Sequence, residues 1–91
     1  MVLTNFESDL IDSAVSRAIL ALLKQNREDY TVEDVNEKLI QSGISLNEEM
    51  IEKLPELVNK WSDYFRKKKE EYQVKSKYVT WLTDQTYQLL P

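Results

Sequence analysis

Residues 4–23 read TNFESDLIDSAVSRAILALL. Thr4 and Glu7 have capping-box spacing, so the stretch predicts a helix beginning near Asn5. Its apolar residues are Phe6, Leu10, Ile11, Ala14, Val15, Ala18, Ile19, Leu22 and Leu23. At about 100° per residue they cover roughly half of the helix circumference, with Asp9, Asp12, Ser13, Ser16 and Arg17 on the other side. An arc that broad suits a helix packed against two neighbours, so the first helix is expected to be central.

Outward from this stretch, the polar run Gln25–Asp29 reads as a connection. Thr31 is a good second N-cap with Asp34 at the reciprocal third position, and Tyr30 and Val35 stand where a hydrophobic staple would close. Val32, Val35, Leu39 and Ile40 then share one face. Gly43 sits where a left-handed residue would stop the helix, with Ile44 folding back on Leu39 in a Schellman ending. Ser45 and Glu48 repeat the capping-box spacing and predict a helix with Leu46, Met50, Ile51 and Leu54 inward. Pro55 would clash with the carbonyl of Ile51 and remove one backbone bond, so a kink or short break is expected there. Beyond it Val58, Trp61, Phe65 and Tyr72 form one stripe. Val74, Tyr78, Trp81, Leu82 and Leu89 form another, rotated by very roughly 90°. A bend near residues 73–76, or a long helix that changes partners, would account for the shift.

One glycine and two prolines in 91 residues, with no Asn-Gly or Asp-Gly dipeptide, leave little material for hairpins. The expected fold is a single all-α domain over residues 1–91, a small bundle of four to five helices with a long or kinked C-terminal helix. No cysteine is present, so neither a disulfide nor a thiolate site is expected. No apolar run approaches the roughly 20 residues that span a bilayer, and the first residues lack the basic and apolar regions of a secretory signal. A cytoplasmic location away from membranes is the expectation.

Charge divides the chain. Residues 1–59 carry 5 basic and 12 acidic side chains, whereas residues 60–91 carry 7 and 4, for a net −4 overall. With neither histidine nor cysteine, the commonest general base, metal ligands and thiolate nucleophile are missing, and one glycine cannot build a phosphate-binding loop. A non-enzymatic protein without cofactor or metal is expected. The pairs Glu33/Glu37 and Glu48/Glu52 share helix faces but lack a cation-loop pattern, and they read as solvated acidic faces. Asp34–Lys38, Glu49–Lys53, Glu56–Lys60, Asp63–Lys67 and Glu71–Lys75 have the acid-before-base i,i+4 spacing that supports exposed helices.

Residues 31–54 read as helix, Gly-containing turn, helix, the outline of a helix-turn-helix. However, Leu39 stands where a small residue is wanted, and Glu48, Glu49, Glu52 and Glu56 would repel phosphates. That acidic face suits an Arg- or Lys-rich partner surface better. The C-terminal third interleaves Trp61, Tyr64, Phe65, Tyr72, Tyr78, Trp81 and Tyr87 with Arg66, Lys67, Lys68 and Lys69. Cations and rings are the ingredients of single-stranded nucleic-acid binding, which is the alternative reading. A protein partner accounts for more of the pattern, because interfaces favour Trp, Tyr and Phe at their centres. The expected function is therefore an adaptor or regulator that binds another protein, itself included, as in small bacterial or phage regulators. Its contact surface would centre on Trp61, Tyr64, Phe65, Trp81 and Tyr87, oriented by Arg66, Lys67, Lys68 and Lys69.

Overall fold

The computed structural model describes residues 4–88, with side chains as far as Asp84. Its elements are four helices: α1 (Asn5–Lys24), α2 (Val32–Gln41), α3 (Glu48–Tyr72) and α4 (Lys75–Gln88). No strand occurs among the described residues. The expected all-α bundle is present, and α1 is its centre, packing against each of the other three helices. α3 completes the bundle by packing against both α2 and α4.

Each boundary has a local cause. Thr4 accepts the Glu7 N–H at 3.1 Å while the Glu7 carboxylate accepts the Thr4 N–H at 3.2 Å, the reciprocal box expected from their spacing. α1 ends on Asn26, at φ 61°, where the Asn26 and Arg27 N–H groups reach the carbonyls of Leu23 and Leu22. This is a Schellman ending built on asparagine, the residue other than glycine that best tolerates the left-handed region. Thr31 and Asp34 form the second capping box. Gly43, at φ 81°, ends α2 as expected, with Ile44 N–H donating to the Leu39 carbonyl and Gly43 N–H to that of Ile40.

α3 departs from expectation at two points. Its N-cap is Asn47, whose side chain accepts the Met50 N–H at 2.9 Å; Ser45 lies two residues outside the helix. The same Asn47 side chain donates to Glu7 Oε2 at 3.1 Å, a tertiary bond that ties the starts of α1 and α3 together. Secondly, α3 runs on through Pro55, so of the kink or short break expected there the break is absent. Pro55 and Ile51 both lie on the exposed side, so the carbonyl that loses its partner faces water rather than the core. The break comes at Gln73, at φ 59° and ψ −33°, within the stretch 73–76 where a bend is one of the two expectations, and α4 follows it.

The core is one cluster: Ile11, Ala14, Val15, Ala18, Ile19, Leu20 and Leu22 of α1, Val35 and Leu39 of α2, Met50, Leu54, Val58 and Phe65 of α3, and Tyr78 and Leu82 of α4. The one buried polar side chain among them, Ser16, is satisfied by donating to the Ser13 carbonyl at 2.7 Å. Five residues of the expected apolar faces lie outside it: Phe6, Leu10, Ile40, Ile51 and Val74 are exposed. Ile40 and Ile51 flank the connection between α2 and α3. Among the described helices, none is long and apolar enough to cross a membrane.

Candidate interaction surface

The α3–α4 break folds the C-terminal rings onto one another. Trp81 is the hub. Its ring centroid lies 5.8 Å from Phe65, 6.2 Å from Tyr64, 6.0 Å from Tyr72 and 6.2 Å from Tyr78, the last in a stacked arrangement. Trp61 extends the network, edge-on to Tyr64 at 5.3 Å. Edge-to-face and offset pairs at these separations are the arrangements favoured by ring quadrupoles. The seam is graded in exposure. Phe65 and Tyr78 are buried, Trp61, Tyr72 and Trp81 are half-buried, and Tyr64, at 39 % relative exposure, is its open edge. Of the expected contact residues, then, Trp61, Tyr64, Phe65 and Trp81 are brought together, but Phe65 supports the seam from beneath. The Tyr87 side chain lies outside those described.

Polar tips fix the rings. The Trp61 indole N–H donates to Asp12 Oδ1 at 3.0 Å, and Lys60 binds the same oxygen at 2.7 Å while its ammonium lies 5.0 Å from the Trp61 ring. Lys68 is shared by two rings, its Nζ 5.9 Å from the centroids of both Tyr64 and Trp81. Such cation–π contacts, desolvated in part by the Lys68 stem, stabilise the edge by about 1 kcal/mol.

The basic run is matched by carboxylates. Arg66 and Lys67 both bind Asp63, Lys68 binds Glu71 at 3.4 Å, and Lys69 reaches across to Glu28 at 2.8 Å. The Lys67 ammonium, followed by the Arg66 guanidinium, holds the Asp63 carboxyl below its ordinary 3.8, and Lys69 holds Glu28 below 4.5. Of the five i,i+4 pairs expected from sequence, Asp63–Lys67 is the one that forms as an ion pair among the described residues. Asp34 turns to Arg27 at 3.0 Å, and Lys60 to Asp12.

A second feature lies on the other side of α3. A cleft of about 820 Å³ opens between the α1–α2 connection, the start of α2, α3 and Tyr78. Its apolar wall includes Val32, Val58 and Phe65, and its rim carries the Glu28–Lys69 and Asp63–Arg66 pairs. The Tyr30 and Ser62 hydroxyls are hydrogen-bonded across it. Burial pushes the Tyr30 phenol above its ordinary 10.0, against the opposing pull of Ser62. Burial also raises Tyr78, with the Glu28 charge adding to the effect. Residues 30 and 62 are far apart in sequence, so no local pattern announces this cleft.

Comparison with family models, curated proteins and solved structures gives no match. What the fold and the surface define is a small all-helical bundle with an aromatic seam open along one edge.

Proposed function

We propose that the chain is a small non-enzymatic interaction module, an adaptor or regulator that binds another protein through the open edge of the aromatic seam. The observation that carries this reading is the position of Tyr64. It is a large ring held at the surface by Trp61, Phe65 and Trp81, and flanked by Lys68. Rigid amphipathic rings over a packed base lose little entropy on binding and recur at the energetic centres of interfaces. The lack of histidine and cysteine favours binding over catalysis. It also suits a reducing, cytoplasmic setting.

The matched charges favour a protein over a nucleic acid. Arg66, Lys67, Lys68 and Lys69 are each ion-paired, to Asp63, Glu71 or Glu28, so a phosphate backbone would have to displace carboxylates to reach them.

The test is affinity capture with the intact chain against Tyr64→Ala, alongside light scattering. A dominant bound protein lost with Tyr64→Ala supports the reading, and a mass above 10.8 kDa lost with the same change makes that partner a second copy. Capture unaffected by Tyr64→Ala removes the proposed edge. Salt-sensitive retention of single-stranded nucleic acid that Lys67→Glu/Lys68→Glu abolishes would restore the alternative.

A further inference from the structure

The α2–α3 face, remote from the aromatic edge, combines exposed apolar residues with unpaired acid. α2 and α3 run antiparallel: Tyr30 bonds Ser62, Val32 shares a cleft with Pro55 and Val58, and the connection at Gly43 returns Leu39 and Met50 to the same core. Continuing that register by helical rise brings Ile40 opposite Ile51. Their relative exposures are 61 % and 52 %, and it is their being neighbours, rather than singly exposed, that is informative. Val32, Asn36 and Ile40 follow one another on one side of α2 at four-residue steps, as Ile51 and Pro55 do on α3. The result is an apolar strip that opens into the Tyr30–Ser62 cleft. Asn36 Oδ1, on the same side of α2, is shielded from solvent and has no donor among the described residues.

Carboxylates border this strip on both helices. Glu33 and Glu37 follow it on α2, and Glu48 and Glu52 on α3; all four are exposed, and none makes an ion pair among the described residues. Lys38 and Lys53 lie roughly 160° away around their helices from Ile40 and Ile51, so neither offsets the acid. The charge is thus one-signed on that face, in contrast to the matched charges near the aromatic edge.

We propose that the α2–α3 face is a docking groove for a cationic amphipathic helix of a partner protein. The apolar side of that helix would lie on Ile40, Ile51 and Pro55, and its Lys or Arg side chains would meet Glu33, Glu37, Glu48 and Glu52. Helix-in-groove recognition needs this pairing of an apolar track with a complementary rim. The groove is independent of the Tyr64 edge, and either surface can exist without the other.

The probe is a fluorescein-labelled peptide of about 18 residues, long enough to form helix on binding, with Leu and Lys at helical spacing. A Leu/Glu peptide of the same pattern is the control. In anisotropy titrations of the intact chain, the Leu/Lys peptide saturates and the Leu/Glu peptide does not. Ile40→Ser/Ile51→Ser weakens the complex about tenfold or more, as does the quadruple Glu→Gln change at 33, 37, 48 and 52. These positions are exposed, so helicity and the melting transition check that the variants fold. Tyr64→Ala leaves the affinity within about twofold, as expected of a site that does not touch it. Equal binding of both peptides would overturn the proposal. So would groove variants that bind like the parent chain, or a loss on Tyr64→Ala alone. A dimer of the isolated chain that Ile51→Ser dissolves would assign the face to a second copy and overturn it too.

Discussion

Trp81 of α4 meets Phe65 of α3 edge to face, with ring centroids 5.8 Å apart and planes at 64°. This contact crosses the break at Gln73 and fastens the last helix to the bundle. It separates the two kinds of ring in the seam, those that hold the fold and those left to meet a partner. Trp81→Ala is expected to cost about 3 kcal/mol or more, the usual loss for a large aromatic in a packed setting. Tyr64→Ala, at the open edge, is expected to cost about 1 kcal/mol. Urea unfolding followed by far-UV circular dichroism measures both, and equal costs would contradict the graded seam.

Pro55 makes a sharper test of α3. Because the helix continues through it, the Ile51 carbonyl lacks its intrahelical donor. Pro55→Ala restores the donor in place and is expected to stabilise the chain by about 1–3 kcal/mol. A destabilised variant would mean that the chain is broken at this point.

Gly43 and Gln73 predict changes of opposite sign. Both have positive φ, 81° and 59°, but only one is glycine. Nothing lies within 4 Å of a Cβ added at Gly43, so Gly43→Ala is opposed by backbone conformation alone, at about 1 kcal/mol. Gln73→Gly relieves the corresponding strain and is expected to raise stability by up to about 1 kcal/mol. Thermal melts of the two variants should move in opposite directions.

The capping boxes set the response to acid. The Thr31 backbone N–H, with help from Arg27, lowers the Asp34 pKa below 3.8, and the Thr4 backbone and side chain lower Glu7 below 4.5. Asp63 and Glu28 are lowered by their ion pairs. Each carboxyl therefore binds its proton more readily in the unfolded chain. The stability they supply is complete above the ordinary values of 3.8 and 4.5 and is lost as pH falls through the depressed ones. Denaturation midpoints should be flat from pH 7 to about 5 and fall below about 4, with a shallower fall for Asp34→Asn. Tyr30 and Tyr78 act at the other extreme. Their phenols are held above the ordinary 10.0, so stability should fall as pH rises past 10.0, and Tyr30→Phe should make that fall shallower in denaturation midpoints.

Much of the fold is legible in the chain because its helix ends are written locally. Thr4 with Glu7, Thr31 with Asp34, and Gly43 with Ile44 each act within a few residues. The broad apolar arc of α1 likewise announces a central helix. Asn47 displaced Ser45 as a cap because it also bonds Glu7, a neighbour supplied by the fold rather than by the sequence nearby. Pro55 read as a kink or short break because the pattern alone did not say that it would face water. In the seam, helical spacing placed Trp61 and Phe65 on one stripe, yet their different exposures depend on where α4 lands after Gln73. The Tyr30–Ser62 cleft and the apolar strip at Ile40 and Ile51 are products of helix pairing, and no local signal encodes either.

Site-specific photo-crosslinking tests the central claim most directly. A benzophenone side chain placed at Tyr64, in the chain returned to lysate of its source cells, should yield one dominant cross-linked protein. The same group at Lys24, exposed at the end of α1, should yield none. Cross-linking at 64 no stronger than at 24, with the labelled chain still helical, would contradict the account.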